Sequence, residues 1–207
     1  MKELKKLKAT GIILAGGKNS RIGTEKAFLE AQEGQLLIDN ILYHFRRIFP
    51  DIIIVTNNPK AYLKFKVKVA EDLIKDKGPL GGIFSGLCFS NNELNFVVAC
   101  DMPFINSDLI RYILKKPKEY DVVVPKIRGK AESLFARYSK TALPTIFSNL
   151  MKSQLKIQEV LKKLNVLKID LEEIERFDPE GLSFFNINTK EDFEKARTLF
   201  LERLQLL

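Results

Sequence analysis

The sequence is poor in the residues that zinc sites, histidine-based catalysis and disulfide scaffolds need. It has one histidine, two cysteines and no tryptophan in 207 residues. A zinc site or a Ser-His-Asp triad has little support, because both depend on histidine and His44 lies beside the apolar stripe of a predicted helix. Cys88 and Cys100 fit neither a metal knuckle nor a disulfide framework. We therefore expect a reducing compartment, the cytoplasm.

Long apolar runs and a concentrated charge are also missing. No run approaches the ~20 apolar residues of a membrane span, and residues 1–8 are charged where a signal peptide has its apolar stretch. The net charge is +8, but the basic residues are scattered, and many lie on helical stretches rich in acids, such as 191–203. We therefore expect neither nucleic acid nor a membrane as a partner. A polyanionic small substrate would equally suit a basic protein.

Short runs rich in Val and Ile alternate with helical periodicity along the chain. Continuous apolar runs of this kind are typical of strands that are buried on both faces. Among the predicted helices, one is capped by Asn106 or Ser107, and the last begins with a variant capping box of Thr189 and Asp192. The alternation predicts one α/β domain over residues 1–207, a mostly parallel sheet with helices on both faces. The predicted strands are residues 11–15, 52–56, 66–70, 96–100, 121–125, 133–138, 166–169 and 184–187.

The first predicted strand leads into a glycine-rich basic loop, LAGGKNSRIGTEK, at residues 14–26. Glycines let the backbone approach a ligand closely, and the cations Arg21 and Lys26 can neutralise phosphate oxygens. The spacing fits neither the P-loop pattern G-x-x-x-x-G-K-[ST] nor the dinucleotide pattern G-x-G-x-x-G. From these residues alone, a phosphate-binding loop and an ordinary basic surface turn both stay open.

Polar residues follow the next predicted strands, at the edge where open α/β sheets bind ligands. Asn57, Asp72 and Asp101 each come shortly after one of these strands. Asp101 is a candidate Mg²⁺ ligand, since Mg²⁺ is usually held by one or two carboxylates and phosphate, and a turn cap is its alternative. Asp72 could equally cap a turn or pair with Lys75. Residues 78–82 open a helix whose N-terminus favours an anion. Together these strand ends predict a site for a nucleoside triphosphate.

Four segments of the sequence, taken in order, match the signature of one family. They are LAGGKNSRIGTEK, VAEDLIKDKGPLGGIFSGL, VVACDMPFI and FFNINTKEDFEKA, and they span residues 11–196 with their flanks. They resemble an L-A-G-G-x-x-x-R-M-G-x-(D/E)-K loop, an acidic residue before G-P-L-x-G, a C-D-x-P-x-I strand end and a late N-x-N-T-x-E-D segment. These are the motifs of the molybdenum cofactor guanylyltransferase family, the MobA-like nucleotidyltransferases.

The resemblance implies a Rossmann-like fold and gives roles to the matching residues. Arg21 and Lys26 would hold phosphates and, with Asp101, carry catalysis. Asp101 would also bind Mg²⁺, the implied cofactor, and Asn186 and Asn188 would act on the pterin side. The residues implied in GTP binding are Leu14, Ala15, Gly16, Gly17, Gly23, Lys26, Thr56, Asn57, Asp72 and Asp101.

Two positions depart from the family pattern. The family's asparagine after the second strand aligns with Thr56, and Asn57 stands next to it. Glu132 stands where some members carry His-Pro around the acceptor strand. The resemblance therefore says less about the acceptor than about the nucleotide.

The activity implied by the resemblance is transfer of GMP from GTP to the phosphate of molybdenum-molybdopterin. Pyrophosphate would leave, and molybdopterin guanine dinucleotide would form, with other molybdenum cofactor biosynthesis proteins as transient partners. The alternatives are a cytidylyltransferase for the same pterin, a sugar-1-phosphate nucleotidyltransferase and a non-catalytic nucleotide- or RNA-binding module. The L-A-G-G loop argues against the sugar enzymes, which usually show L-A-A-G, and a metal carboxylate argues against a simple binder.

Overall fold

A computed structural model describes residues 6–16, 26–32 and 34–204 of the chain. The strands in these residues are β1 (Thr10–Leu14), β2 (Glu30–Gln32), β3 (Gln35–Leu36), β4 (Asp51–Val55), β5 (Lys68–Ala70), β6 (Leu94–Ala99), β7 (Val122–Ile127), β8 (Lys130–Ala131), β9 (Phe135–Ser139) and β10 (Val166–Ile169). The α-helices are α1 (Leu37–Ile48), α2 (Pro59–Tyr62), α3 (Gly78–Phe89), α4 (Ser107–Lys115), α5 (Leu143–Met151), α6 (Ile157–Leu161), α7 (Leu171–Glu175) and α8 (Lys190–Leu204). Short 3₁₀ turns lie at Lys26–Phe28, Leu63–Phe65, Lys140–Ala142 and Leu182–Phe184.

The central sheet has the strand order β10-β7-β9-β6-β1-β4-β5, and β8 joins it as a hairpin with β7. Strand β1 is parallel to both of its neighbours, with Thr10 opposite Asn95 of β6 and Asp51 of β4. Strand β5 is parallel to β4, and β10 is parallel to β7, whereas β9 is antiparallel to β6 and β7. The carboxyl ends of β1, β4, β5, β6 and β7 therefore share one edge, which we call the carboxyl edge. The predicted mostly parallel sheet is confirmed.

Apolar side chains cover both faces of this sheet. On one face, α1 and α4 pack around aromatic residues that include Phe45 and Phe96. On the other face, α3, α5 and α6 pack around aliphatic residues that include Ile83 and Ile146. A third apolar group, which contains Phe104, joins α8 to β2. Helices thus lie on both faces as predicted, and none within the described residues is long and apolar enough to cross a membrane.

Two glycines let helices lie close to β1. A Cβ atom on Gly11 would lie 2.5 Å from the Phe45 ring of α1, and one on Gly86 of α3 would lie 2.6 Å from Cγ2 of Ile12. Contacts this short do not occur between carbon atoms, so a larger residue at either position would displace the helix from the sheet. Because α3 begins at Gly78, this close contact also holds the start of α3 beside the carboxyl edge.

Polar side chains define where two helices begin. The Asn106 Oδ1 atom accepts hydrogen bonds from the amides of Asp108 and Leu109, at 3.0 and 2.9 Å. At the start of α8, Thr189 Oγ1 accepts from the Asp192 amide at 3.1 Å, and Asp192 Oδ2 accepts from the Thr189 amide at 2.9 Å. These bonds satisfy amide groups that the first turn of a helix leaves unpaired. The predicted caps at Asn106 and Thr189 are confirmed.

The predicted strand at residues 184–187 is wrong. This segment follows the 3₁₀ turn Leu182–Phe184 and joins no sheet in the part of the chain that is described. Its apolar residues fill space between other elements, since the Phe184 ring packs edge-on against the Phe135 ring with 5.3 Å between their centroids. Ile187 is fully buried. An apolar run in an irregular packed segment has the same composition as a short strand, and the sequence pattern did not distinguish them.

Candidate active site

The carboxyl edge brings together residues from separate stretches of the chain, on the two sides of β1. One group surrounds Asp101, which follows β6, and the other surrounds Asn57 and Asp72, which follow β4 and β5. We call Lys26, Asp101, Glu132 and Asn188 the Lys26 cluster, and we call Leu14, Gly16, Asn57, Asp72 and Gly82 the Asp72 cluster. Three further predicted residues lie outside the described part of the chain: Gly17, Arg21 and Gly23.

Lys26 lies at the centre of the first cluster. Its Nζ atom donates hydrogen bonds to Asp101 Oδ2 at 2.9 Å and to Asn188 Oδ1 at 3.0 Å. The side chains of Lys26 and Asp101 are 18% and 22% exposed, so the ion pair is partly shielded from water but open to a ligand. The ammonium group of Lys26 thus joins two residues, Asp101 and Asn188, that are far from it and from each other in the sequence.

Asn188 reaches Lys26 because the segment before it is attached to the end of β6. The Ile187 amide donates to the carbonyl oxygen of Asp101 at 2.9 Å, and α8 begins two residues after Asn188. Asn186, the other residue predicted on the pterin side, instead donates from Nδ2 to the Phe184 carbonyl at 3.3 Å. The structure therefore brings Asn188, rather than Asn186, to the lysine.

Glu132 is a member of the Lys26 cluster that sequence reasoning did not select. It follows β8, its amide donates to the Pro125 carbonyl at 2.8 Å, and its carbonyl accepts from the Phe135 amide at 3.0 Å. Burial raises the pKa of the Glu132 carboxyl group, and the nearby charge of Asp101 raises it further. The cluster therefore holds two carboxylates, Asp101 and Glu132, near enough for the charge of one to affect the other.

The second cluster centres on Asp72, which follows β5. Its Oδ2 atom accepts a hydrogen bond from Asn57 Nδ2 at 3.3 Å, and its Oδ1 atom is buried without a partner in the described part of the chain. The nearby Ser85 hydroxyl donates to the Gly81 carbonyl at 2.8 Å and accepts from the Leu73 amide at 2.9 Å. Burial raises the pKa of Asp72, and the side chains of Asn57 and Ser85 offset this effect only in part. Asp72 is therefore a carboxylate with one hydrogen bond from Asn57 and with capacity to accept more.

Two glycines leave room around Asp72 and Asn57. A Cβ atom on Gly82 of α3 would lie 3.2 Å from Cδ2 of Leu14 and 3.7 Å from Oδ1 of Asp72. A Cβ atom on Gly16 would lie 4.0 Å from the backbone and side-chain nitrogens of Asn57. A larger side chain at either glycine would stand beside the polar groups that a ligand must reach.

The remaining predicted nucleotide contacts have backbone roles in the structure. Thr56 is 3% exposed, and its Oγ1 atom accepts from the Asn58 amide at 3.1 Å, so it shapes the loop while Asn57 extends to Asp72. The Ala15 amide donates to Val55 at 2.8 Å. The Leu14 carbonyl accepts from the Cys100 amide at 3.0 Å. These bonds hold the ends of β1, β4 and β6 together below the site.

The Lys26 cluster has the oxygen atoms that Mg²⁺ prefers. Asp101 and Glu132 supply carboxylates, Asn188 supplies an amide oxygen, and Asp101 Oδ1 accepts no hydrogen bond within the described residues. No group of three or more His, Cys, Asp and Glu side chains suited to a metal occurs among those residues. Mg²⁺ is commonly bound by one or two carboxylates, with substrate phosphates and water as the other ligands. The residues present therefore fit Mg²⁺ held together with a phosphorylated ligand.

A mostly parallel sheet with a lysine and carboxylates at its carboxyl edge is typical of the α/β domains that bind ligands at that edge. The MobA-like NTP transferase domain family matches residues 11–167 of this chain. The chain belongs to this family of nucleotidyltransferases, and the family predicted from the four motifs is confirmed.

Relatives extend the similarity over nearly the whole chain. A "probable molybdenum cofactor guanylyltransferase" of Peptoclostridium acidaminophilum is 37% identical over 200 residues, which cover 93% of this chain and 90% of the relative. The "molybdenum cofactor guanylyltransferase" of Desulfosudis oleivorans is 37% identical over 188 residues, covering 90% and 93%. The crystal structure of "molybdopterin-guanine dinucleotide biosynthesis protein A" from Archaeoglobus fulgidus superposes with a TM-score of 0.82 at 28% identity, covering 93% of this chain and 99% of that one.

Proposed function

We propose that this chain transfers GMP from GTP to the phosphate of molybdenum-molybdopterin, forming molybdopterin guanine dinucleotide and releasing pyrophosphate. The observation that carries this proposal is the Lys26 ammonium group, which holds Asp101 and Asn188 together at the carboxyl edge. A cation, a carboxylate and an amide held together at this edge support phosphate binding there. The names of the relatives support the acceptor and the base.

The Asp72 cluster supports guanine as the base. Guanine presents N1–H and N2–H₂ as donors, and the half-buried carboxylate of Asp72 accepts one hydrogen bond, from Asn57 to Oδ2, so it has capacity to accept more. Adenine lacks this pair of donors and would leave the carboxylate unsatisfied, which costs about 1–3 kcal/mol for each unpaired group. Two such mismatches give a preference for GTP over ATP of at least about 10²-fold.

The reaction needs no strong general base in this proposal. An oxygen of the acceptor phosphate attacks the α-phosphorus of GTP, a new P–O bond forms, and the bond to the β-phosphate breaks so that pyrophosphate leaves with its electrons. The attacking phosphate is already ionised at neutral pH. The only histidine of the chain, His44, is hydrogen-bonded to Ser107 at 2.9 Å between α1 and α4. Lys26 contributes through its position and its positive charge, because its ammonium group would face the phosphates.

The second cation in the proposed phosphate site is Arg21 of the glycine-rich loop. Its planar guanidinium group suits two phosphate oxygens at once, whereas Lys26 acts as a point charge. Gly17 and Gly23 of the same loop would let its backbone approach the phosphates. These three assignments rest on the motif.

We propose Mg²⁺ as the cofactor, held by Asp101 with Glu132 and Asn188 nearby. When bound, Mg²⁺ neutralises phosphate charge and favours nucleophilic attack. The protein's own part is to keep Asp101 oriented, through the bond from Lys26 to Oδ2, with Oδ1 left for the metal. The proposed acceptor lies on the side of Asn188 and Asn186.

Purified protein mixed with molybdenum-molybdopterin and equal concentrations of GTP, ATP and CTP tests the function. We expect pyrophosphate release and dinucleotide formation with GTP, little with ATP, and none without the pterin. Equal or better transfer from CTP would assign the protein to cytidylyl transfer. Release of pyrophosphate with a sugar 1-phosphate, but not with the pterin, would overturn the acceptor. Binding of GTP without any transfer would support a non-catalytic binder.

A further inference from the structure

The hairpin of β7 and β8 carries basic side chains at the carboxyl edge. Its ladder pairs Lys126 with Ala131 and Ile127 with Lys130, which leaves Arg128 and Gly129 as a two-residue turn. Both turn residues have positive φ, 47° and 82°, as in the type I′ turn that matches the twist of a hairpin. The hairpin is therefore a well-formed element with a fixed turn.

The hairpin lies beside the Lys26 cluster. The Glu132 amide, directly after β8, donates to the Pro125 carbonyl of β7, and the Leu134 carbonyl accepts from the Ala99 amide at the end of β6. Glu132 is thus held next to Asp101. Lys130 precedes Glu132 by two residues, which is about 7 Å along an extended strand. A ligand bound at Asp101 can therefore reach the hairpin if it extends by a few bonds.

Two basic side chains of this hairpin have no partners in the described part of the chain. Arg128 and Lys130 are exposed, and neither side chain takes part in a hydrogen bond or ion pair within the described residues. Ile127 packs against the apolar layer that also holds Phe184, and cross-strand partners share a face, so Lys130 stands on the side of the segment that leads to Asn188. Lys130 thus lies on the proposed acceptor side, and Arg128 is at the turn of the same hairpin, two residues before it.

The strand order separates the two substrates of the proposed reaction. Asp72 and Asn57 follow β5 and β4 on one side of β1, Asp101 follows β6 on the other side, and the hairpin extends from β7, beyond β9. A nucleotide whose base lies at Asp72 and whose phosphates lie at Lys26 does not extend to the hairpin. The hairpin side of Asp101 remains for the acceptor, which is a polyanion.

We propose that Arg128 and Lys130 form a docking site for the anionic acceptor, on the side of Asp101 opposite to the nucleotide. This inference rests on the proposed function. The two cations attract and orient the acceptor before its phosphate reaches the Lys26 cluster. Removing the two cations should raise the KM for the acceptor and leave the KM for GTP unchanged.

The test compares two variants with the same charge change. Arg128→Asn with Lys130→Gln removes both cations and creates Asn-Gly, a favoured pair for a type I′ turn, so the hairpin is kept. The control with the same charge change is Lys66→Asn with Lys68→Gln, since Lys66 also has a positive φ of 54° and Lys68 follows by two residues in β5. It also removes the hydrogen bond from Lys68 Nζ to the Phe89 carbonyl, so the control perturbs the protein at least as much as the hairpin variant does. Lys66 and Lys68 line a cavity of about 320 Å³ with Asp51 and Ile52 at the opposite edge of the sheet.

We expect the hairpin variant to raise the acceptor KM about tenfold and to keep the GTP KM within about twofold of the original protein. The control variant should keep both KM values within about twofold of those of the original protein. Added salt should reduce the difference in acceptor KM between the two variants. If the acceptor KM is the same in both variants and in the original protein, the docking site is wrong and the proposed function still stands. Failure of the original protein to transfer GMP to the pterin overturns the proposed function and the docking site with it.

Discussion

The two aspartates of the candidate active site are held in opposite ways. Asp101 has a lysine ammonium group 2.9 Å from Oδ2 and a second carboxylate, Glu132, nearby. Asp72 has neutral side chains beside it, the amide of Asn57 at 3.3 Å from Oδ2 and the hydroxyl group of Ser85. The first environment is rich in charge, and the second is poor in charge.

This difference separates the two tasks of a nucleotidyl transfer. Charged phosphates and a metal ion need a site where cations and carboxylates are already paired and oriented. A base needs neutral or singly charged partners at fixed positions, and it supplies the missing donors itself. The comparison therefore predicts that changes at Asp101 and Lys26 reduce catalysis, whereas a change at Asp72 alters which base is used.

The largest effect is expected from Asp101→Asn. The change keeps the shape of the side chain but removes the charge that Mg²⁺ requires. We expect turnover at saturating Mg²⁺ to fall by about 10³-fold with the fold intact, on the scale of lost electrostatic stabilisation in other enzymes. The measurement is the rate of GMP transfer to the pterin, with circular dichroism to check the fold.

Asp108→Asn serves as the control for Asp101→Asn. Asp108 is an exposed carboxylate in the first turn of α4, and we expect its loss to leave turnover within about twofold. If Asp101→Asn turns over like the original protein, Asp101 returns to the role of a turn cap.

The next effect is expected from Lys26→Ala. The variant loses the cation that holds Asp101 and Asn188 and that would face the phosphates. We expect kcat/KM to fall by about 10²-fold, as for the loss of one preorganised donor. Lys115→Ala, at the end of α4, removes a lysine away from the carboxyl edge and should have little effect. Kinetics of Lys26→Ala within twofold of the original protein would favour an ordinary basic turn.

A smaller and different effect is expected from Asp72→Asn. The amide keeps one acceptor but presents a donor where guanine also presents donors, so GTP loses affinity and ATP does not. We expect the ratio of kcat/KM values for GTP and ATP to fall about tenfold, with kcat for GTP changed less than in Asp101→Asn. A variant with unchanged base preference and reduced turnover would place Asp72 with the phosphates.

Asp72→Asn should also stabilise the free protein at neutral pH. Burial raises the pKa of Asp72, so the folded state binds a proton more tightly than the unfolded state, and the charged form is unfavourable in the folded protein. The charged carboxylate lowers the stability of the folded protein at pH values above the raised pKa. This effect is lost as the pH falls below the usual aspartate pKa of about 3.9. We therefore expect a higher Tm for Asp72→Asn at pH 7 and a difference that shrinks toward pH 4. A lower Tm at pH 7 would contradict this account.

Much of the fold followed from local pattern. The continuous Val and Ile runs identified β1, β4, β6 and β7 because strands buried on both faces contain few polar residues. Their common direction then placed Lys26, Asp72 and Asp101 at one edge, and the structure brings Lys26 and Asp101 into direct contact. Elements of two to five residues, such as β8, α2 and α7, are too short for a periodic pattern of apolar residues to be recognised in the sequence.

The parts of the site that the sequence did not predict depend on tertiary structure. Glu132 joins Asp101 only because β8 folds back on β7 and β9 then runs antiparallel to β6. Thr56 and Asn57 are both candidates for the position of the family's asparagine, and which of them is available to a ligand depends on which side chain turns inward. The structure buries Thr56. Asn188 reaches Lys26 through an irregular packed segment that the pattern presented as a strand.

The smallest effect is expected from Asn188→Ala. Asn188 is exposed, and its Oδ1 atom accepts one hydrogen bond from Lys26 at 3.0 Å, while the bond from Lys26 to Asp101 remains in the variant. A neutral acceptor of this kind contributes about 0.5–1.5 kcal/mol, so we expect kcat/KM for the acceptor to fall about threefold and the GTP KM to stay constant. Asn186→Ala is the matched comparison, because Asn186 donates to the Phe184 carbonyl instead of contacting Lys26. A larger loss in Asn186→Ala than in Asn188→Ala would show that the acceptor contact on this side belongs to Asn186, and that Asn188 only positions the lysine.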